Sequence, residues 1–186
     1  AAWVGEASGG CQTASHRALG EDGVSLAEYP VVVWLLGDES SDDLSVSEEE
    51  QALLTAYLKS GGRLVLSGSE VAYDLDGVGN GSVFIRSAFG AALREDNATS
   101  GQASGVGRLD GLGPFVFVGE GRPYGEDHPD SLLPLNGAEI LLQYANGQPA
   151  AVGIRGRSAL VGFPVELVDA GSLPVLMRAL LRFVRE

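Results

Sequence analysis

The chain of 186 residues is long enough for one globular domain, and its hydrophobic content of 45% is not that of a disordered protein. Its formal net charge of −13 at pH 7 excludes a broad basic surface for nucleic acid. No apolar run approaches the roughly 18 to 20 residues that a membrane-spanning helix needs.

The first 29 residues predict no long helix, because glycine-rich stretches interrupt them. They lack the basic, apolar and cleavage-site segments of a signal peptide, so we expect any export signal to lie upstream of residue 1. Cys11 is the single cysteine, which excludes an intrachain disulfide and a cysteine-rich metal site.

The first predicted strand covers residues 30–36, a continuous apolar run typical of strands buried on both faces of a parallel sheet. Ser47 and Glu50 have the spacing of a capping box and predict a helix that ends at the glycine pair 61–62. A second apolar strand follows at residues 63–67. Strand, helix and strand in this order predict a parallel βαβ unit.

The middle of the chain changes character. We expect a loop at residues 74–82, a short helix at 83–93 and a long polar, glycine-rich excursion at 94–113. Further strands are predicted at residues 115–118, 138–144, 150–154 and 159–163.

The end of the chain combines tight turns with one helix. Turn-forming residues at 146–149 and 155–158 indicate hairpin connections between the last strands. Ser172 is the expected N-cap of an amphipathic helix at 173–184, with Pro174 in its first turn. These elements predict a single α/β domain over residues 1–186, which we interpret as a fragment of a longer chain.

Residues 64–75, LVLSGSEVAYDL, indicate a strand that enters a tight turn and then a helix, which is how α/β enzymes present a nucleophile. Gly68 and Ala72 are the small residues around this bend, and Ser69 and Glu70 lie between them. A second motif, AAVGIRGRSALVGFPVEL, spans residues 150–167.

Together the two motifs resemble the class I glutamine amidotransferase-like fold, over about residues 30–186 in order of elements. The resemblance implies a flavodoxin-related α/β domain with a mostly parallel sheet, helices on both faces and extra antiparallel strands in the C-terminal half. More narrowly, residues 29–40, 57–75 and 161–168 resemble a little-characterised branch that occurs late in larger, often exported bacterial proteins. That branch favours an extracytoplasmic location.

Catalytic members of this family place a cysteine at the elbow and a histidine and a glutamate after a later strand. The resemblance aligns the nucleophile position with Glu70, or with Ser69 if the register shifts by one residue. Phe163 occupies the histidine position, and Glu166 is retained one residue out of place. The resemblance therefore implies a degenerate site that cannot carry out glutaminase chemistry.

Other chemistry at the elbow stays open. A hydrolase could use Ser69 or Glu70, with His128 or His16 as a base, although we favour a turn role in which the Ser69 hydroxyl satisfies a backbone amide. Glu70 and Glu166 could converge as an acid–base pair, although a helix-starting role for Glu70 is simpler.

We expect a ligand-binding or non-catalytic accessory domain. The alternatives are the hydrolase that uses Ser69 or Glu70 and a protein–protein docking domain. Its partner would be a neighbouring domain of the same polypeptide, a small molecule or a carbohydrate. The candidate ligand-binding residues are Gly68, Ser69, Glu70, Tyr73 and Glu166.

Four aromatic residues are candidates for lining a sugar-binding cleft: Trp34, Tyr73, Tyr124 and Tyr144. Trp34 lies within an apolar strand and is better explained as a core residue, and the three tyrosines are too scattered along the sequence to predict a platform. We expect no cofactor and no metal site. The acidic loops around residues 39–43 and 74–80 are better explained as solvated surface than as calcium sites.

The acidic composition generates a test. Lys59 is the only lysine, and a surface of this charge repels itself unless salt screens it. We therefore predict adaptation to high salt, with a Tm that rises between dilute buffer and molar potassium chloride. Thermal melts in the two buffers measure this, and a midpoint that is unchanged or lower in high salt would leave an ordinary acidic protein.

Overall fold

The computed structural model describes Gly5 and residues 9–21, 23–38, 44–135 and 137–186. The α-helices are α1 Ala18–Glu21, α2 Glu48–Lys59, α3 Ser82–Phe89 and α4 Leu173–Arg185. A π-helix covers Tyr73–Val78, and 3₁₀ turns cover Leu26–Glu28, Gly107–Leu109 and Val165–Leu167. The strands are β1 Val31–Gly37, β2 Arg63–Gly68, β3 Ala91–Glu95, β4 Gln102–Gly105, β5 Phe115–Val116, β6 Ser131–Pro134, β7 Glu139–Tyr144, β8 Pro149–Ile154 and β9 Ser158–Val161.

The predicted parallel βαβ unit is confirmed. β1 pairs with β2 in parallel, from Val31 opposite Arg63 onward. The connecting helix α2 begins with the predicted capping box, in which the Ser47 hydroxyl accepts from the Glu50 amide and the Glu50 carboxylate accepts from the Ser47 amide. The helix ends before Gly61, whose φ of +93° suits a glycine.

In the described part of the chain, the main sheet has seven strands in the order β1-β2-β9-β8-β7-β4-β5. The β1–β2 and β2–β9 pairs are parallel, whereas β9–β8, β8–β7, β7–β4 and β4–β5 are antiparallel. The expectation of a mostly parallel sheet is therefore wrong. Tight turns connect β7 to β8 and β8 to β9, and a tight turn can join only antiparallel strands. These hairpins therefore make this part of the sheet antiparallel.

A second, two-stranded antiparallel sheet is formed by β3 and β6. The sequence predicted neither strand: residues 91–93 were assigned to a helix, and β6 is only four residues long. Helix α3 ends at Phe89 because Gly90 adopts a φ of +61°, and the next residue starts β3. The predicted loop at 74–82 is also wrong, since it contains most of the π-helix.

The polar excursion at residues 94–113 is more ordered than predicted, because it contains β4 and a 3₁₀ turn. Ser172 is the N-cap of α4 as predicted, with Pro174 in the first turn. Its hydroxyl makes no capping hydrogen bond, whereas its amide donates to Asp169 Oδ1 at 3.0 Å.

Two apolar cores lie on opposite faces of the central strands. Leu64 and Leu66 of β2 belong to the core that α2 and α3 complete, whereas Val65 belongs to the core that contains α4. Because side chains alternate along a strand, these assignments place helices on both faces of β2. The carboxyl ends of β1, β2 and β9 are left at a shared edge of the sheet.

None of the helices in the described ranges is both long and apolar enough to span a membrane.

Candidate functional site

The site is built at the carboxyl ends of the three parallel strands. Gly68 ends β2 and pairs with Gly37, the last residue of β1. A Cβ atom on Gly68 would lie 2.7 Å from the Leu36 Cβ and 2.9 Å from a Val71 methyl group. Close packing at the elbow therefore requires glycine at position 68. No bound ligand is needed to explain this small residue.

Glu70 lies at the apex of the elbow. Its φ of +50° is in the left-handed region, which L-residues other than glycine enter at a cost. Its carbonyl then accepts from the Asp74 amide at 2.8 Å, as the chain turns into a helix. The geometry of a nucleophile elbow is thus present, with a half-buried glutamate at its apex.

Ser69 precedes the apex and is only 3% exposed. Its hydroxyl donates to Glu126 Oε1 at 2.9 Å, and its amide donates to the Gly37 carbonyl at 3.0 Å. The expectation that this hydroxyl satisfies a backbone amide is wrong. Ser69 is joined instead to a carboxyl group 57 residues along the chain.

Glu126 reaches the elbow from the segment between β5 and β6. It is 6% exposed, and its Oε1 also accepts from the His128 amide at 3.0 Å. Burial raises its pKa from 4.5 to about 7, against the lowering effect of these two hydrogen bonds. Oε2 is buried and has no hydrogen-bond partner in the described part of the chain.

Asp130 lies beneath the elbow and is fully buried. Its Oδ2 accepts from the amides of Ala72 at 2.6 Å and Tyr73 at 3.3 Å. It therefore caps the first turn of the helix at residues 71–78, here called the elbow helix, most of which is the π-helix. Burial raises its pKa to about 8 despite these bonds, and the negative charges of Asp96 and Glu126 act in the same direction.

Glu166 follows β9 and lies beside the end of β1. Its Oε1 accepts from the Tyr124 hydroxyl at 2.6 Å. A Cβ atom on Gly37 would lie 3.7 Å from both of these oxygens. Burial and the Glu166 carboxylate raise the pKa of Tyr124 well above its usual range, so this phenol stays a hydrogen-bond donor.

Phe163 is completely buried. Its ring stacks on Phe117 with 4.2 Å between the ring centroids. The Ser67 hydroxyl fixes the backbone beside it, donating to the Phe163 carbonyl at 2.8 Å and accepting from the Val165 amide at 2.9 Å. The position that the sequence resemblance aligns with histidine is therefore part of the hydrophobic core.

The structure brings some of the candidate residues together and separates others. Ser69, Glu70 and Glu166 lie at the same edge of the sheet, because Ser67 of β2 pairs with Val161 of β9 just before them. In the described residues the partner of Glu166 is Tyr124, and no hydrogen bond joins it to Glu70.

Tyr73 is the least central of the candidate ligand-binding residues. A Cβ atom on Gly77 would lie 3.0 Å from its ring, so the ring packs along the elbow helix.

Neither histidine supplies a base to Ser69 in the described part of the chain. His128 is exposed and contacts Glu126 through its backbone amide. The His16 ring lies 3.0 Å from Glu50, at the start of α2.

The acidic loop at 74–80 has structural partners. Asp74 Oδ2 accepts from the Ser45 amide at 2.9 Å, and Asp76 pairs with Arg86 at 2.9 Å. No cluster of three or more potential metal ligands occurs among the described residues. Glu39, Asp42 and Asp43 lie outside those residues.

Trp34 and Tyr144 both belong to the hydrophobic cores, so Tyr144 is not a sugar-cleft residue. The Tyr144 hydroxyl donates to the Asp130 carbonyl at 2.8 Å.

The sequence pointed neither to Glu126 as the partner of Ser69 nor to Tyr124 as the partner of Glu166. The stretch YGEDHPD, residues 124–130, is rich in acids. It is far along the chain from Ser69 and Glu166, so the sequence pattern does not predict these contacts.

Comparison with solved structures identifies the fold. A putative ThuA-like protein from Bacteroides uniformis superposes with a TM-score of 0.56 at 15% identity, covering 86% of this chain and 70% of that one. The chain therefore shares the fold of this ThuA-like protein. At this identity the likeness shows the fold alone. Protein-family models and curated proteins gave no match.

Two other solved structures are less similar. A glutamine amidotransferase from Thermotoga maritima has a TM-score of 0.47 at 15% identity, with coverage of 96% of this chain and 84% of that one. An exo-β-1,4-mannosidase from an Opitutaceae bacterium has a TM-score of 0.49 at 17% identity. The match covers 82% of this chain and only 23% of the mannosidase.

The strained apex predicts an unusual order of stability. Glu70→Gly should be more stable than Glu70→Ala by about 1 kcal/mol, because only glycine tolerates a positive φ without strain. Urea unfolding of the two variants measures the difference. Ala56→Gly, on the exposed face of α2, is the control and should be destabilising by about the same amount. If alanine is the more stable residue at position 70, the elbow is not strained.

Proposed function

We propose that this domain is an accessory module of a larger bacterial protein that binds a small ligand at the elbow and does not carry out glutaminase chemistry. The observation that carries the proposal is the pair of acceptor oxygens at this edge of the sheet. Glu126 Oε2 and Glu166 Oε2 are both buried without a hydrogen-bond partner in the described residues.

The degenerate character is supported by two positions. Transfer of an amide nitrogen from glutamine requires a thiolate and an imidazole that activates it. Glu70 stands at the apex where the thiol would be, and Phe163 is stacked in the core where the imidazole would be. Restoring only one of the two groups should fail, because nucleophile and base act as a unit.

The chemistry of the ligand follows from the groups that surround the site. Ser69 and Tyr124 already give their protons to carboxyl groups, so the unpartnered oxygen of Glu166, and that of Glu126 once it is ionised, are acceptors. A ligand that donates hydrogen bonds, through the hydroxyls of a carbohydrate or through an amine, would satisfy them. Open α/β sheets bind ligands at the carboxyl ends of their strands, which is where these residues lie.

The assignment to a larger exported protein rests on the sequence resemblance to the little-characterised branch. The same resemblance favours an extracytoplasmic location and a neighbouring domain of the same polypeptide as a partner.

A second candidate function is favoured by the contact between Ser69 and Glu126. A carboxylate 2.9 Å from a serine hydroxyl, with a pKa of about 7, could act as the base that the histidines do not supply. Hydrolysis of a nitrophenyl ester that disappears in Ser69→Ala would support this hydrolase.

The proposed absence of glutaminase chemistry has its own test. Release of ammonia from glutamine above the blank would contradict the degenerate site.

The docking alternative would use another surface, a groove of about 580 Å³ beside the edge strand β1 that Val31, Trp34 and Leu35 help to line. Nothing in the described residues identifies an occupant, so we favour the polar elbow.

Ligand titration followed by amide NMR tests the proposed function. Glucose, galactose, mannose and ethylamine offer hydrogen-bond donors, whereas acetate offers acceptors only. We expect at least one donor ligand to shift the amide signals of Gly68, Ser69 and Glu126 at millimolar concentration, and acetate to leave them unchanged. Glu166→Gln should weaken the effect, because the amide replaces one acceptor oxygen with a donor.

The matched control is Glu139→Gln, whose carboxylate lies on β7 and pairs with Arg108 at 2.8 Å. This variant should bind as the wild type does. If no donor ligand moves the elbow signals, or if acetate moves them equally, the proposed binding function is wrong.

A further inference from the structure

Residues 119–130 form a segment, here called the cover segment, that lies against the elbow. Between Gly119 and His128 its backbone makes no hydrogen bond to another backbone group in the described part of the chain. Gly119 and Gly121 have φ values of +141° and +80°, which glycine adopts readily. Up to His128 the segment is therefore fastened by side chains, whereas the backbones of Pro129 and Asp130 at its end are hydrogen-bonded to Ala98 and Gly162.

The Arg122 guanidinium donates to the Val116 carbonyl at 3.0 Å, and three further side chains join the segment to the elbow. Tyr124 donates to Glu166, Glu126 accepts from Ser69, and Asp130 accepts from the first amides of the elbow helix. The intervening residues Gly125, Asp127 and His128 are exposed. The buried side chains thus face the elbow while the rest of the segment faces solvent.

We propose that the cover segment is a pH-sensitive cover over Ser69, which stays docked while Glu126 and Asp130 are protonated and is released when they ionise. This inference rests on the proposed function, because it gives the regulation of the same binding site. Release would expose the Ser69 hydroxyl and the Glu126 carboxylate to a ligand.

The charges around the two acids support this direction. The charge of Asp38, after β1, raises the pKa of Glu126, whereas His128 in its own segment lowers it. Asp130 is influenced by Asp96 after β3 and by Glu126. Neither acid forms a salt bridge with a lysine or arginine among the described residues. Ionisation therefore places like charges together in a poorly solvated site.

The sign follows from linkage. Both pKa values are higher in the docked state than in water, so the docked state holds protons that the open state releases. Docking is most stable below the ordinary pKa of each acid and weakens until the pH passes the raised value. For Glu126 alone, the shift from 4.5 to about 7 corresponds to about a tenfold rise in the opening constant between about pH 6 and pH 8.

Hydrogen exchange followed by mass spectrometry tests the proposal on the unliganded protein. After correction for the intrinsic exchange rate, opening of residues 119–130 and of the elbow amides 70–73 should increase at least tenfold between the two pH values. Peptides from the core strand β8 should show no such change. Because no ligand is present, the result does not depend on whether the proposed binding function is correct.

Variants make the test specific. Glu126→Gln with Asp130→Asn keeps the acceptor oxygens but cannot ionise, so the pH dependence should be lost and the segment should stay docked. If the double variant does not fold, Glu126→Gln alone serves as the test. Its opening constant should rise between the two pH values by a factor about ten times smaller than that of the wild type. Asp127→Asn removes an exposed acid from the same segment and should behave as the wild type does.

Two results would overturn the proposal. One is opening in the wild-type protein that does not change with pH. The other is the same increase in Glu126→Gln as in the wild type.

Discussion

The burial of carboxyl groups without a balancing cation is the constraint on which the elbow depends. Glu126 and Asp130 are both buried beside the carboxyl ends of the central strands, and neither pairs with a lysine or arginine in the described residues. Hydrogen bonds from Ser69 and from backbone amides compensate only part of the lost hydration. The site is therefore most stable when these acids are neutral, which makes it sensitive to pH.

The same edge of the sheet supports our proposal that the domain does not carry out glutaminase chemistry. The Ser67 hydroxyl joins the end of β2 to the turn after β9 and so fixes the positions of Phe163 and Glu166. Phe163 contributes its ring to the stack with Phe117, and replacing it with histidine would place an imidazole among apolar side chains. Glu70 occupies the apex of the elbow with a positive φ.

Local patterns predicted the part of the fold whose causes are local. The capping box at Ser47, the apolar strand before it and the tight hairpins of the C-terminal half all formed where expected. The expectation that this strand is buried on both faces is wrong, because β1 is an edge strand in which only Trp34 is fully buried. Sequence periodicity does not predict the β3–β6 sheet, because its two short strands pair across about 40 residues of sequence. For the same reason the sequence showed that Ser69 and Glu166 lie near one edge but not that Glu126 and Tyr124 complete the site.

The most direct test of this account is the ionisation of Glu126, followed by NMR of the side-chain carboxyl carbons as the pH is raised. The account predicts that Glu126 titrates near pH 7, against an ordinary value of 4.5, and that the Ser69 amide signal moves with the same midpoint. Glu126→Gln provides the assignment, because its carboxyl signal disappears. A Glu126 midpoint near 4.5, or a Ser69 signal that does not follow it, would contradict the account.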